Sequence, residues 1–270
     1  MIFFKSLLKQ IINKLFIKKI IVSLLRKKLI SRRFKNLIKL NGFHNIYESN
    51  IKILNNKNDS VSRDLCIFGI PNKEYEVFSK FLSEIKTINS FLDIGAGIGL
   101  YTLFAINNNQ SIKTLSIEPN PEVFKVLEKN LSSISPLNTN NKTLNKVVSN
   151  EKRSLEFYIP TGDDFSYGTS NKNLLEEKDI SYKSLIVETS DLKEFSNDYY
   201  EIIKIDVEGS ELEVLMAIKE QLSHCKFLFI EILGINKNKA ISFLDNYGLK
   251  PIVESVEEVG NFIFQREVSE

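Results

Sequence analysis

Three glycines alternate along one short segment of the chain, directly after an acidic residue. They are Gly95, Gly97 and Gly99, and Asp93 ends the apolar run before them. An apolar helical pattern begins at Leu100. Glycine tolerates positive φ and lets a ligand approach the backbone, and a helix N-terminus favours polar ligand groups. The segment therefore predicts a strand, a tight turn and a helix that together bind a nucleotide-like cofactor.

The spacing of these glycines distinguishes between cofactors. A dinucleotide fingerprint, G-x-G-x-x-G, would need a glycine where the chain has Leu100. G-x-G-x-G with an aspartate two residues earlier is instead typical of S-adenosylmethionine-dependent methyltransferases. Glu118 ends the next predicted strand, 25 positions after Asp93, and an acid in that place can accept both ribose hydroxyls of a nucleoside. We therefore expect S-adenosylmethionine at this turn, with its ribose on Glu118; a generic nucleotide-binding turn is the alternative.

A second group of acids lies at the ends of later predicted strands. Asp206 and Glu208 end and follow a strand over residues 201–206, and Glu231 lies near the end of a strand over residues 226–233. Ligands of a doubly wound sheet bind outside the carboxyl ends of its strands, where Asp93 also lies, so Asp206 and Glu231 should approach each other if their two strands are neighbours. Neighbouring carboxylates raise one another's pKa, which suits a base that deprotonates an alcohol. The same acids could hold a hard divalent cation, but nothing in their spacing requires a metal.

Strands and helices alternate through residues 61–270. Strands are predicted over residues 111–118, 142–148, 201–206, 226–233, 250–253 and 261–264, a β pair over 155–159 and 183–188, and helices over 75–85, 122–131, 210–219 and 239–247. This alternation predicts an α/β fold with a doubly wound, mostly parallel sheet. A polar loop over residues 160–179 should reach over the site, where Asp163, Asp164, Phe165 and Tyr167 could contact a sugar. A plain solvated loop is the alternative.

The first 60 residues are predicted to be a basic helical extension that ends in a linker. Residues 1–47 carry twelve basic side chains and no acidic one, whereas the remainder has 24 basic and 34 acidic residues. The apolar residues Phe4, Leu7, Leu8, Ile11, Ile12 and Leu15 share one helical face. Such an arm could lie on an anionic membrane surface or pack on the body or on a second copy of the chain. The acidic body argues against a nucleic-acid partner.

Composition and length narrow the classes of protein to which the chain could belong. The 270 residues are 43% hydrophobic and 26% charged, which describes a globular protein. No apolar run approaches 18 residues, so a membrane-spanning helix is not expected. Lysines interrupt every candidate apolar core and no small-residue cleavage site follows, so a signal peptide is not expected either. Cys66 and Cys225 form no motif, which favours the cytoplasm, at most peripheral to the inner face of a membrane. The chain has only two histidines, so neither a histidine metal site nor a catalytic triad is expected.

Three segments resemble the FkbM family of methyltransferases. They are residues 91–99 (FLDIGAGIG), 117–121 (IEPNP) and 203–215 (IKIDVEGSELEVL), and the resemblance covers residues 90–233. It implies a class I, Rossmann-like methyltransferase fold and methylation of a substrate hydroxyl, usually on a glycan or a secondary metabolite.

Carried over by position, the same resemblance assigns the candidate site residues. Asp93, the three glycines and Glu118 would bind the cofactor, and Asp206, Glu208 and Glu231 would lie at the reaction centre. Residues 1–60 match nothing in the family core, although a membrane-associated arm would suit a lipid-linked glycan. Two alternatives stay open: a non-catalytic scaffold tethered through the arm, and a nicotinamide-dependent oxidoreductase.

Overall fold

The computed structural model describes residues 15–56, 59–134, 140–161, 168–192, 198–255 and 259–267. The chain divides into two compact units, Met1–Pro71 and Asn72–Glu270. The predicted apolar face from Phe4 to Ile12 lies outside the described residues. So do the four predicted sugar contacts of the polar loop, which are Asp163, Asp164, Phe165 and Tyr167.

The first unit contains a β-hairpin besides its helices. Its elements are α1 (Leu15–Arg26), a 3-10 turn (Arg32–Leu37), β1 (Gly42–Asn45), β2 (Lys52–Asn55) and α2 (Ser60–Phe68). The antiparallel strands pair Phe43 with Leu54, and Asp59 caps α2 by accepting from the backbone N–H groups of Val61 and Ser62. The sequence suggested only a linker here, because four-residue strands are too short to show a clear alternation. No helix among the described residues is long and apolar enough to cross a membrane.

The second unit is built on a sheet of seven strands, which are β3 (Ser90–Ile94), β4 (Lys113–Ile117), β5 (Asn141–Leu144), β9 (Ile202–Ile205), β10 (Phe227–Leu233), β11 (Leu249–Val253) and β12 (Val259–Arg266). Their order in the sheet is β11-β12-β10-β9-β3-β4-β5. All neighbours from β5 to β10 are parallel, and β12 runs antiparallel to both β10 and β11. The predicted α/β fold with a doubly wound, mostly parallel sheet is confirmed.

A smaller sheet and a set of helices complete this unit. The small sheet has the order β6-β8-β7, with β6 (Val147–Val148), β7 (Ser154–Pro160) and β8 (Tyr182–Ser190). The helices are α3 (Tyr75–Glu84), α4 (Leu100–Asn108), α5 (Pro121–Ile134), α6 (Asn173–Glu177), α7 (Glu211–Ala217), α8 (Lys219–Leu222) and α9 (Lys237–Asp245). The β7–β8 pair is antiparallel, as the alternation predicted.

The strand predicted over residues 142–148 is divided between the two sheets. Asn145 separates β5 from β6, and its amide nitrogen donates to the backbone oxygens of Glu118 at 2.8 Å and Pro119 at 2.9 Å. These bonds tie the chain to the end of β4, so it leaves the large sheet after Leu144. The division follows from a side-chain contact that strand periodicity does not encode.

The order of the strands fixes the location of the site. From β3 the chain proceeds through β4 to β5 at one edge, and later returns to β9 on the other side of β3. The adjacent carboxyl ends of β3 and β9 are therefore the topological switch point, where ligands of open α/β sheets bind. Both strands are buried along their whole length, which holds this edge rigidly.

Candidate active site

Glycine is needed at three positions of the turn after β3, for different structural reasons. All have positive φ, at 76°, 56° and 88° for Gly95, Gly97 and Gly99. A Cβ on Gly95 would lie 1.8 Å from the backbone oxygen of Asp206, and one on Gly99 would lie 2.6 Å from Leu127 Cδ1. A Cβ on Gly97 would meet no atom within 4 Å. The first and third glycines therefore permit close packing within the protein, whereas the middle one leaves the backbone open to a ligand.

Glu118 is anchored beside this open backbone. Its Oε2 accepts from the Gly97 N–H at 2.9 Å and its Oε1 accepts from the Asn120 N–H at 2.8 Å. Burial raises the pKa of Glu118 to about 7, although both hydrogen bonds act in the opposite direction. A carboxylate offers about four lone pairs, so two stay available for hydroxyl donors. The geometry suits the pair of ribose hydroxyls expected from the sequence.

Asp93 lies at the end of β3 and is almost completely buried. Thr102 Oγ1 donates to its Oδ2 at 2.7 Å, while its Oδ1 is buried with no hydrogen-bond partner among the described residues. Burial raises the pKa of Asp93. A buried acceptor without a donor is costly unless a ligand supplies one. This oxygen, the open backbone at Gly97 and the acceptor Glu118 together fit S-adenosylmethionine, which carries an ammonium group and two ribose hydroxyls.

Lys204, on β9, supplies a buried positive charge near Asp93 and Asp206. It pairs in register with Asp93 across β3 and β9, and its Nζ donates to Asp206 Oδ2 at 2.9 Å. The same Nζ lies 4.7 Å from the centroid of the Tyr101 ring. Burial alone would lower the pKa of Lys204, but Asp206 and Asp93 outweigh it and raise the pKa above its ordinary value. Lys204 therefore stays protonated and holds Asp206 in place.

The structure brings Asp206, Glu208 and Glu231 together at the carboxyl ends of β9 and β10. Burial, followed by the charge of Asp206, raises the pKa of Glu208 to about 7. Burial, followed by the charges of Asp206 and Glu208, raises the pKa of Glu231 to about 8. Neither glutamate side chain has a hydrogen-bond partner in the described part of the chain. Both half-buried carboxyls therefore have pKa values raised into the neutral range, a property that candidate acid–base groups share.

Glu208 is also held in a strained backbone conformation. Its φ is 50°, which is uncommon for a residue other than glycine. Thr169 Oγ1 donates to the Glu208 backbone oxygen at 2.7 Å, and Ser170 Oγ lies 2.5 Å from Ser210 Oγ. Residues 168–171 belong to the loop that was expected to reach over the site. This part of the loop is therefore attached to the turn that carries the acids.

Sequence reasoning missed one acid of this cluster. Glu74 ends a 3-10 turn (Asn72–Glu74) before α3, and it is half-buried. Burial raises the pKa of Glu74, and the charge of Asp206 acts in the same direction while Lys73 and Lys204 act against it. No motif marks this residue, because it reaches the cluster only through tertiary packing. In the described ranges, no group of three or more His, Cys, Asp or Glu side chains is arranged to hold a metal ion.

Glu211 joins the turn after β9 to the turn after β10. It is 1% exposed. Its Oε1 accepts from the Gly209 N–H at 2.7 Å, and its Oε2 accepts from Asn236 Nδ2 at 2.6 Å. Both partners lie next to strands that carry candidate catalytic acids. Glu211 therefore positions the acids without itself belonging to the cluster, a role that its place in the IKIDVEGSE segment did not reveal.

The Glu211→Ala variant should lose about 1–3 kcal/mol in the free energy of unfolding, because it leaves two half-buried donors, the Gly209 N–H and Asn236 Nδ2, without their acceptor, and a fully buried unpaired polar group costs about that much. Urea unfolding measures the effect. Glu177→Ala, at an exposed position of α6, is the matched control and should change stability by no more than about 0.5 kcal/mol. Equal stabilities of the two variants would show that the contacts of Glu211 are not structural.

The family model described as methyltransferase FkbM domain matches residues 93–259. Among curated proteins, the chain is similar to the methyltransferase sdnD of Sordaria araneosa, at 25% identity over 72% of this chain and 83% of that protein. It is also similar to the hexuronic acid methyltransferase AglP of Haloferax volcanii, at 23% identity over 72% of this chain and 77% of that protein.

Solved structures include a protein that is similar to part of this chain. The chain is similar to methyltransferase FkbM from Methylobacillus flagellatus KT, with 16% identity and a TM-score of 0.46. The similarity covers 66% of this chain and 43% of that one, so the chain spans less than half the length of that solved relative.

Proposed function

Because the chain belongs to the family of FkbM methyltransferases, whose cofactor is S-adenosylmethionine, we propose that it methylates a hydroxyl oxygen of a glycan or a secondary metabolite. The observation that carries this proposal is the cluster of Asp206, Glu208 and Glu231 at the switch point, with pKa values of about 7 for Glu208 and about 8 for Glu231. An alcohol must lose its proton to become a competent nucleophile, and such carboxyls can accept it.

The glycine turn, Asp93 and Glu118 would hold the cofactor. The cofactor supplies an electrophilic methyl group on a sulfonium centre. Glu118 would orient the ribose, Asp93 Oδ1 would accept from the ammonium group, and the open backbone at Gly97 would allow close approach. Methyl transfer is an in-line displacement, so positioning of this kind can supply about 7–11 kcal/mol of the barrier reduction.

We assign the proton acceptor to Glu231. Lys204 donates to Asp206, so Asp206 is engaged by the one buried cation of the described cluster and is better suited to orient the acceptor hydroxyl. Glu231 lies on a buried strand rather than on the strained turn of Glu208, and its pKa is the higher of the two. General base catalysis of this kind contributes about 10²–10⁴-fold to the rate.

The atom that receives the methyl group can be identified directly. Protein and S-adenosylmethionine with a labelled methyl group are incubated with a neutral hexose, a hexuronic acid, an amino sugar and a polyprenyl-linked sugar. We expect label in an alkali-stable ether on one of the hydroxyl compounds. Label in an alkali-labile ester, or on nitrogen, would overturn the assignment to a hydroxyl. The hexuronic acid is included because the relative AglP is described as a hexuronic acid methyltransferase.

We propose that the basic arm, residues 1–47, associates with an anionic membrane surface on its cytoplasmic side. Such an association would suit a lipid-linked acceptor. Support comes from the twelve basic and no acidic side chains of residues 1–47. Each lysine or arginine near such a surface contributes about 1 kcal/mol. A second copy of the chain is the alternative partner. Equal co-sedimentation of the full chain and a chain lacking residues 1–40 with anionic vesicles would contradict the membrane proposal.

A further inference from the structure

A cavity of about 600 Å³ lies within the first unit, far in sequence from the residues of the candidate active site. One wall is a single face of α1, formed by residues three and four positions apart, as helical periodicity requires. The other wall comes from the hairpin region and the end of α2. The lining includes Lys19, Val22, Arg26, Lys27, Leu40 and Ile67. Pockets of this size accommodate small ligands.

Arg26 is fixed in the wall of the cavity. Its Nε donates to the Ile67 backbone oxygen at 2.7 Å, and its Nη2 donates to the Cys66 backbone oxygen at 3.1 Å. The guanidinium also lies 3.8 Å from the centroid of the Tyr47 ring. A guanidinium has five N–H donors, so these contacts hold it in one orientation without exhausting it. A group fixed in this way loses little entropy when it binds an anion.

The lysine and arginine side chains in the lining of the cavity give it a positive charge. Lys19 and Lys27 are exposed and have no ion-pair partner among the described residues, and no acidic residue lines the cavity. Glu48 lies near enough to Arg26 to raise its pKa, but burial dominates and lowers that pKa overall. Apolar groups from Val22, Leu40 and Ile67 complete the wall. Three cations beside an apolar surface match an anion with an attached organic group.

We propose that this cavity binds the phosphate group of a phosphate ester. A phosphate offers several oxygen acceptors that can meet the fixed guanidinium and two mobile ammonium groups at once, and arginine and lysine are its usual protein partners. The phosphate comes either from an anionic lipid headgroup or from a soluble phosphate ester. The inference does not depend on methyl transfer, because none of its residues belongs to the catalytic cluster.

Binding is measured with the full chain in the absence of S-adenosylmethionine and acceptor. The probes are glycerophosphoglycerol, followed by calorimetry, and vesicles of phosphatidylcholine with and without phosphatidylglycerol, followed by co-sedimentation. The test variant is Lys19→Gln with Lys27→Gln. The matched control is Lys28→Gln with Lys52→Gln, which removes the same charge from the same unit at positions outside the cavity.

We expect the Lys19 and Lys27 variant to lose at least about tenfold in affinity for glycerophosphoglycerol, since a hydrogen bond to a charged group contributes about that factor, while the control keeps its affinity for this probe. With anionic vesicles the control loses only the general attraction of one lysine of the basic arm, so the test variant should lose more than the control. Loss with both probes assigns the site to a phosphate ester in either form, and loss with phosphatidylglycerol vesicles alone assigns it to a lipid headgroup. Equal losses in the test and control variants, or no binding of either probe by the unmodified chain, would overturn the proposal.

Discussion

The Gly97→Leu variant should fold and yet bind S-adenosylmethionine about five- to a hundredfold more weakly than the unmodified chain. In the structure a Cβ at this position meets no atom within 4 Å, and the Gly97 N–H donates to the carboxylate of Glu118. A leucine side chain would therefore extend into space that the protein leaves free at the cofactor turn. Overpacking against a ligand costs about 1–3 kcal/mol, and about 1.4 kcal/mol corresponds to a tenfold change in affinity.

Gly42 provides a matched control for backbone strain. Its φ is 84°, against 56° for Gly97, and a Cβ there also meets no atom within 4 Å. A leucine at either position should cost a similar amount of stability, about 1–2 kcal/mol for a left-handed residue. Calorimetry should then show normal cofactor affinity for Gly42→Leu and weak affinity for Gly97→Leu. Unchanged affinity in Gly97→Leu would place the cofactor away from this turn.

The Glu231→Gln variant should lower kcat by about 10²–10⁴-fold at pH 8 while leaving the affinity for S-adenosylmethionine unchanged. The direction of the pH dependence follows from the raised pKa of Glu231, about 8 against an ordinary 4.5. A general base acts only when it is deprotonated, so kcat/KM should rise with pH and level off above about pH 8. A glutamine cannot titrate, so the variant should lose this rising limb.

Glu208→Gln is the informative comparison for this prediction. Glu208 lies in the same cluster with a pKa raised to about 7, so it is the competing candidate for the base. We expect this variant to retain a rising limb, displaced to lower pH because the Glu208 charge that raises the pKa of Glu231 is removed. A limb lost in Glu208→Gln and retained in Glu231→Gln would transfer the role of base to Glu208.

The sequence was informative where chemistry depends on residues close together in the chain. Gly95, Gly97 and Gly99 predicted a turn with positive φ, and the structure has positive φ at all three. The candidate acids Asp206 and Glu231 were expected to meet because each lies at or near the end of a predicted strand. Their strands β9 and β10 are indeed parallel neighbours. Most of the cluster was therefore predictable from the rule that ligands of an open α/β sheet bind at the carboxyl ends of its strands.

The features that the sequence did not reveal depend on contacts between distant segments. Glu74 joins the acid cluster although about 130 positions separate it from Asp206. Glu211 is a conspicuous acid of the IKIDVEGSE segment, but its role became visible only through its bond to Asn236. The cavity around Arg26 needs a hairpin whose strands have four residues each. No periodicity encodes such side-chain contacts, so only the folded chain reveals them.

The most direct test of the central claim is a calorimetric titration of the full chain with S-adenosylmethionine and, separately, with NADH. The glycine turn, Glu118 and the unpaired oxygen of Asp93 predict saturable binding of S-adenosylmethionine, with a Kd on the order of micromolar, and no binding of NADH. Binding of NADH alone would contradict the account and favour an oxidoreductase. Binding of neither ligand would contradict it as well, and would favour a scaffold that keeps the fold without the chemistry.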